Sequence, residues 1–109
     1  MLARVWTTGV RPERMDDYEK FAREISLPMF RAQQGFLGCI MSHRNGVARV
    51  LTLWRDADAI AALDQSSSYR ATVQKILVAD LLAGQQSTEV GDVHLFDLGV
   101  LKDELPGID

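Results

Sequence analysis

Hydrophobic and polar residues alternate with period two along three stretches of the chain. Leu2 to Val10 sets Leu2, Arg4, Trp6 and Thr8 against Ala3, Val5, Thr7 and Gly9, in a segment rich in β-branched and aromatic residues, and so predicts a first strand. Phe36 to Arg44 and Val47 to Arg55 form two more, joined by Asn45-Gly46. Both linking residues tolerate the positive φ of a type I′ turn, which predicts a tight hairpin. A two-residue turn also fixes register: Arg44 opposite Val47, His43 opposite Ala48, Met41 opposite Val50, Cys39 opposite Thr52 and Leu37 opposite Trp54. Leu37, Cys39, Met41 and His43 then share a face with Ala48, Val50, Thr52 and Trp54. The other face carries Phe36, Gly38, Ile40 and Ser42 with Val47, Arg49, Leu51 and Leu53. Both faces are largely apolar, so both need a cover.

The pattern changes to a helical period after Pro12, a residue suited to a helix start, with Glu13, Asp16 and Asp17 where the helix dipole favours acids. Met15, Tyr18, Ala22, Ile25, Met29 and Ala32 make one apolar stripe with Phe21 beside it. Pro28 is expected to kink or split this helix near Ser26. Asp56 is a candidate N-cap for a short helix carrying Ile60 and Leu63. Ser66 to Ser68 cap a second, Tyr69 to Leu82, with Val73, Ile76, Leu77 and Leu81 inward and Gly84 as its stop. Gln85 to Asp92 reads as a polar connection and Val93 to Val100 as the last strand. The order predicts an α+β fold of the ferredoxin-like split β-α-β type, an antiparallel four-stranded sheet with helices on one face. Residues 1–100 form that domain and 101–109 an acidic tail. Since the helices cover only one face, the other is expected to meet a second copy of the chain in a two-fold homodimer.

Composition narrows the function classes. The chain has 109 residues, 47% of them hydrophobic, with no apolar run long enough to span a membrane. A net charge of −3 and a pI near 5.3 leave no basic stripe for nucleic acid. The lone Cys39 makes no intrachain disulfide, and the first residues lack the order of a secretory signal, so a cytoplasmic setting is expected. Two histidines without Cys or carboxylate at ligand spacing predict no metal site. No phosphate-cradling glycine loop, dinucleotide fingerprint or Ser-His-Asp order is present, and no cofactor is expected.

A proline opening the first helix, Gly35-Phe36 with Gly38 opening strand two, and Leu53-Trp54-Arg55-Asp56 leading into Ala59, Leu63, Ser67 and Tyr69 resemble the antibiotic-biosynthesis-monooxygenase-like (ABM) family. The resemblance runs from about residue 2 to residue 98. It implies a dimeric α/β barrel in which two sheets face each other and each subunit encloses a ligand cavity. The family includes oxygenases that form quinones from polyketide aromatics without metal or flavin, and haem-degrading enzymes. Trp54 stands where the aromatic oxygenases have a pocket-lining Trp. Val50 and Ile60 stand where they have an Asn and a Tyr. The haem-degrading members have an Asn in strand one, a Trp after strand three and a His in the next helix; here those places hold Val5, the stretch Ala61 to Leu63, and Tyr69 to Val73, with no His.

The candidate chemistry follows from faces and chemical type. Trp54 suits an aromatic pocket wall with a donor N–H, or equally a packing residue at the interface. His43 is an acid or base of suitable pKa on the Trp54 face, or a solvated residue beside the turn. Tyr69 opens a helix near the strand-three exit, where its hydroxyl can donate a proton or simply hydrogen-bond locally. With these three as catalytic candidates, substrate contact is assigned to Val5, Thr7, Leu37 and Cys39, and to Met41, Val50, Thr52 and His94. Cys39, Thr7, Thr52 and His94 also read as structural residues. The expected function is a cofactor-independent monooxygenase acting on a small or polycyclic aromatic. Its rivals are a ligand-binding or structural barrel and an isomerase or decyclase of the same superfamily.

Overall fold

In a computed structural model that describes residues 1–99 and Glu104, the two inner strands carry the buried face that places everything else. The sheet order is β2 (Phe36–Arg44), β3 (Val47–Trp54), β1 (Leu2–Val10), β4 (Leu82–Asp92), all antiparallel. Arg4 pairs with Thr52, Trp6 with Val50 and Thr8 with Ala48, so the even-numbered side chains of β1 and β3 share one face. Helices α1 (Met15–Phe21), α2 (Leu27–Arg31), α3 (Ala57–Gln65) and α4 (Ser67–Val78) bury that face. Two apolar clusters result. One holds Val10, Tyr18, Phe21, Ala48, Ile76 and Leu81; the other holds Met29, Phe30, Val50, Trp54, Ala59 and Leu63; Trp6 packs against both. The fold is the α+β, four-stranded antiparallel arrangement expected from the pattern.

The hairpin turn forms as the dipeptide dictates, with Asn45 at φ 53° and Gly46 at φ 77°. The pairing holds from Arg44 with Val47 to Cys39 with Thr52, and then departs: the register shifts between Phe36 and Gly38, and Phe36, not Leu37, lies opposite Trp54. The cause is aromatic packing. The bulge turns the Phe36 ring onto the helix side, 6.1 Å from Phe30 and 5.6 Å from Trp54 between centroids. Leu37 is left 47% exposed.

Pro28 acts where expected. Between α1 and α2 the chain widens into a π-turn over Ala22–Ser26, and Leu27 N–H reaches back five residues to Ala22 O. A π-turn tolerates the proline's missing N–H without breaking the rod. Asp56 caps α3 through Ala59 N–H (2.9 Å), and Ser66 caps α4 through Tyr69 N–H (3.3 Å).

The C-terminal part departs from the pattern. Helix α4 stops at Val78, with Asp80 taking the left-handed conformation (φ 56°), four residues before Gly84. The polar run Gln85 to Asp92 is strand, and Val93 to Leu98 forms no strand. Strand β4 is an edge, exposed along most of its length, so backbone pairing with β1 defines it and apolar alternation does not. Leu95, Phe96 and Leu98 are exposed. The tail 101–109 lies outside the described residues, Glu104 apart.

On the sheet face away from the helices, Val5, Thr7, Leu51 and Leu53 are half-buried and Ile40 is 62% exposed. No helix among the described residues is long and apolar enough to cross a membrane.

Candidate functional site: a cavity between helices and sheet

A cavity of about 260 Å³ lies between the helices and the buried sheet face. Its floor is Arg4 and Trp6 of β1, Met41 of β2, Val50 of β3 and Gln86 to Thr88 of β4. Its roof comes from Tyr18, Phe21, Ala22, Ser26, Met29 and Phe30 on one side, and from Tyr69, Thr72, Val73, Ile76 and Leu77 of α4 on the other. The π-turn contributes Ala22 and Ser26. An apolar and aromatic lining with a few converging polar groups is the usual character of a small-ligand site.

The polar corner is built by β1 and α4. Arg4 is only 6% exposed, and its Nη2 donates to Tyr69 Oη at 2.9 Å. Its guanidinium carbon also lies 5.6 Å from the centre of the Tyr69 ring. Among the described residues Arg4 makes no ion pair, and it is the one charged side chain in the lining. Burial pushes the Tyr18 phenol up to about 12, so it stays a neutral O–H at any ordinary pH.

Trp54 stands one layer behind the wall. It is 0% exposed, edge-on to Phe30 at 6.3 Å, while Phe30 and Val50 line the cavity in front of it. Its Nε1–H donates to Thr52 Oγ1 at 2.7 Å, and the Thr52 hydroxyl donates to Arg4 O at 3.4 Å. Thr52 is likewise fully buried, so this pair fixes the β1 backbone at Arg4 instead of meeting a ligand.

Of the other sequence candidates, Tyr69, Met41 and Val50 reach the cavity. Cys39 is half-buried on the same sheet face but outside the lining; burial raises its thiol pKa, opposed by the Arg31 charge. Val5 and Thr7 have the wrong parity on β1 and face away. Leu37 is turned out by the bulge. His43 is exposed at the turn end and pairs with Glu19 Oε1 at 2.6 Å. His94 follows β4 outside any strand and is exposed. Arg4, Trp6 and Tyr18 are lining residues that the pattern reading passed over. The available signal was the shared parity of Arg4 and Trp6 with Val10, which puts a charge in the middle of a buried strand face. Among the described residues no three His, Cys, Asp or Glu side chains come close enough to hold a metal ion.

The family model described as antibiotic biosynthesis monooxygenase matches residues 1–75. No curated protein matches the chain. Among solved structures, a variant of SnoaB, a cofactor-independent oxygenase from Streptomyces nogalater, superposes with TM-score 0.71 at 14% identity, covering 90% of this chain and 97% of the other. NE2512, a protein of unknown function from Nitrosomonas europaea, gives 0.72 at 17% identity over 90% and 93%. A structure described as antibiotic biosynthesis monooxygenase gives 0.69 at 17% identity over 85% and 98%. At these identities the structural likeness establishes the fold alone.

Proposed function

The chain belongs to the antibiotic biosynthesis monooxygenase family, and from that premise we propose that it is a cofactor-independent monooxygenase acting on a small or polycyclic aromatic substrate in the cavity between helices and sheet. The observation that carries the reading is the cavity itself: aromatic and aliphatic walls closing on a single polar corner, Arg4 with Tyr69. The cytoplasmic setting expected from composition belongs to the same proposal.

The chemistry suits a phenol conjugated to an activated methylene. Once deprotonated, such a substrate passes an electron to dioxygen; radical recombination and loss of water follow. Overall R₂CH₂ and O₂ give R₂C=O and H₂O: one oxygen atom becomes the new carbonyl, the other leaves with both hydrogens, and the carbon's four-electron oxidation matches the reduction of dioxygen. The protein's part is to hold the ring flat between Trp6, Val50 and the helix residues, exclude water, and present Tyr69 Oη for proton transfer. Among the described residues the lining holds no histidine or carboxylate, which suits a substrate acidic enough to be its own electron source.

The test is dioxygen uptake with an anthrone as probe. Wild-type protein is expected to accelerate uptake above the buffer rate, and Val73→Trp, which puts an indole into the cavity from α4, is expected to abolish the acceleration while the fold persists by circular dichroism. Equal rates with and without protein would favour the binding or isomerase readings.

We further propose a two-fold homodimer through the helix-free sheet face, supported by the half-buried Val5, Leu51 and Leu53 and the exposed Ile40 on that face. Sedimentation at micromolar concentration should give about twice the 12.2 kDa chain mass. A persistent monomer contradicts it.

A further inference from the structure

Arg4 is an expensive residue where it stands. A guanidinium withdrawn from water is tolerated when a carboxylate or a full set of acceptors compensates it. Here the side chain is 6% exposed, its one hydrogen-bond partner is the neutral Tyr69 hydroxyl, and no carboxylate pairs with it among the described residues. Of the five N–H donors that a guanidinium carries, four have no protein acceptor among the described residues. None of its nitrogens is sealed off without a partner, and the residue lines the cavity, which is where the unused donors find room for an acceptor.

The other polar groups of the lining, Tyr18, Ser26, Thr72, Gln86, Ser87 and Thr88, are neutral. Among the described residues the cavity therefore has a positive potential with no internal counter-charge in a low-dielectric setting, where a charge-assisted bond gains most. Strand pairing holds the guanidinium in place: the Trp54 to Thr52 to Arg4 backbone contacts fix β1, and Tyr69 fixes the head.

We infer that Arg4 is the specificity-determining residue of the cavity, selecting ligands that carry an anionic oxygen, carboxylate or phenolate, on an aromatic frame. The guanidinium fork meets the anionic head while Trp6, Val50 and Phe30 meet the ring. This rests on the reading that the cavity is the ligand site, and it does not depend on oxygen chemistry.

Isothermal titration calorimetry with 2-naphthoate, its neutral counterpart 2-naphthalenemethanol, and 2-naphthol below and above its own pKa tests the inference. Wild-type protein is expected to bind naphthoate at least about 10-fold tighter than the alcohol, and naphthol tighter once it is ionised. A gain with naphthoate alone assigns the site to carboxylates, and a gain with ionised naphthol alone to phenolates. Arg4→Met should erase the preference with its melting temperature unchanged or raised, since it removes an uncompensated buried charge. Arg4→Lys should keep part of the preference. Equal affinity for naphthoate and the alcohol with no gain on ionising naphthol, preference retained in Arg4→Met, or no binding of any probe would each overturn the inference. If Arg4→Met fails to fold, the charge preference of the wild type decides alone. Arg4-dependent binding of naphthoate without any anthrone turnover would sink the monooxygenase reading and leave this one standing.

Discussion

Trp54→Ala is expected to destabilise the domain by about 3–5 kcal/mol, the usual cost of emptying a fully buried tryptophan site. Three effects add. The ring is 0% exposed and lies edge-on to Phe30 and Phe36, so truncation opens a void that neither ring can fill without giving up its contact with the other. Thr52 Oγ1 loses its donor in a place water does not reach. The helices α2 and α3 lose the residue that joins Met29, Phe30, Ala59 and Leu63 into one cluster. At about 4–8 °C per kcal/mol for a domain of this size, the melting temperature should fall on the order of 15 °C or more. Leu37→Ala is the control, expected within about 0.5 kcal/mol of wild type because the bulge leaves that side chain in solvent. Chemical denaturation reads both. A mild Trp54→Ala together with a costly Leu37→Ala would mean that the hairpin lacks its bulge.

Gly9→Ala should cost about 3 kcal/mol or more, at the upper end of overpacking because the obstacle is backbone. Gly9 sits where β1 and β4 slip in register, and a methyl group there would overlap the Ala83 carbonyl. The strands must part for it to fit. Since Gln86, Ser87 and Thr88 of β4 close one side of the cavity, ligand binding should weaken along with stability. Gly91→Ala, on the same strand pair but with open space around the added methyl, should be neutral. Paired thermal melts check this, and a neutral Gly9→Ala would contradict the observed pairing of β4.

How far the sequence was legible follows from which forces had a pattern to act on. The hairpin could be read because Asn45-Gly46 fixes a turn and a turn fixes parity, and an irregularity in the first helix near Ser26 because Pro28 has no N–H to give; the helix widens there into a π-turn and stays one rod. What escaped was set by contacts across the fold. Phe36 leaves its strand parity for two aromatic rings supplied by α2 and β3, and nothing near Phe36 announces them. The edge strand β4 is polar where a pattern reader expects alternation, while the apolar run Val93 to Leu98 forms no strand. On the first strand the site turns on parity: the expected ligand contacts Val5 and Thr7 face away, and their neighbours Arg4 and Trp6 line the cavity. A charged residue in an apolar strand is easily dismissed as the solvent side. Here the helices cover that side, and Arg4 becomes the feature that a ligand would have to answer.

The most direct measurement of the central claim is the fate of labelled oxygen. With an anthrone probe under ¹⁸O₂ in unlabelled water, the quinone formed by the wild-type protein should carry one ¹⁸O at the new carbonyl, measured by mass spectrometry at early times before exchange, and Val73→Trp should form it no faster than buffer. Product oxygen drawn from water, or a labelled quinone formed equally fast by the blocked variant, would contradict a monooxygenase reaction in this cavity.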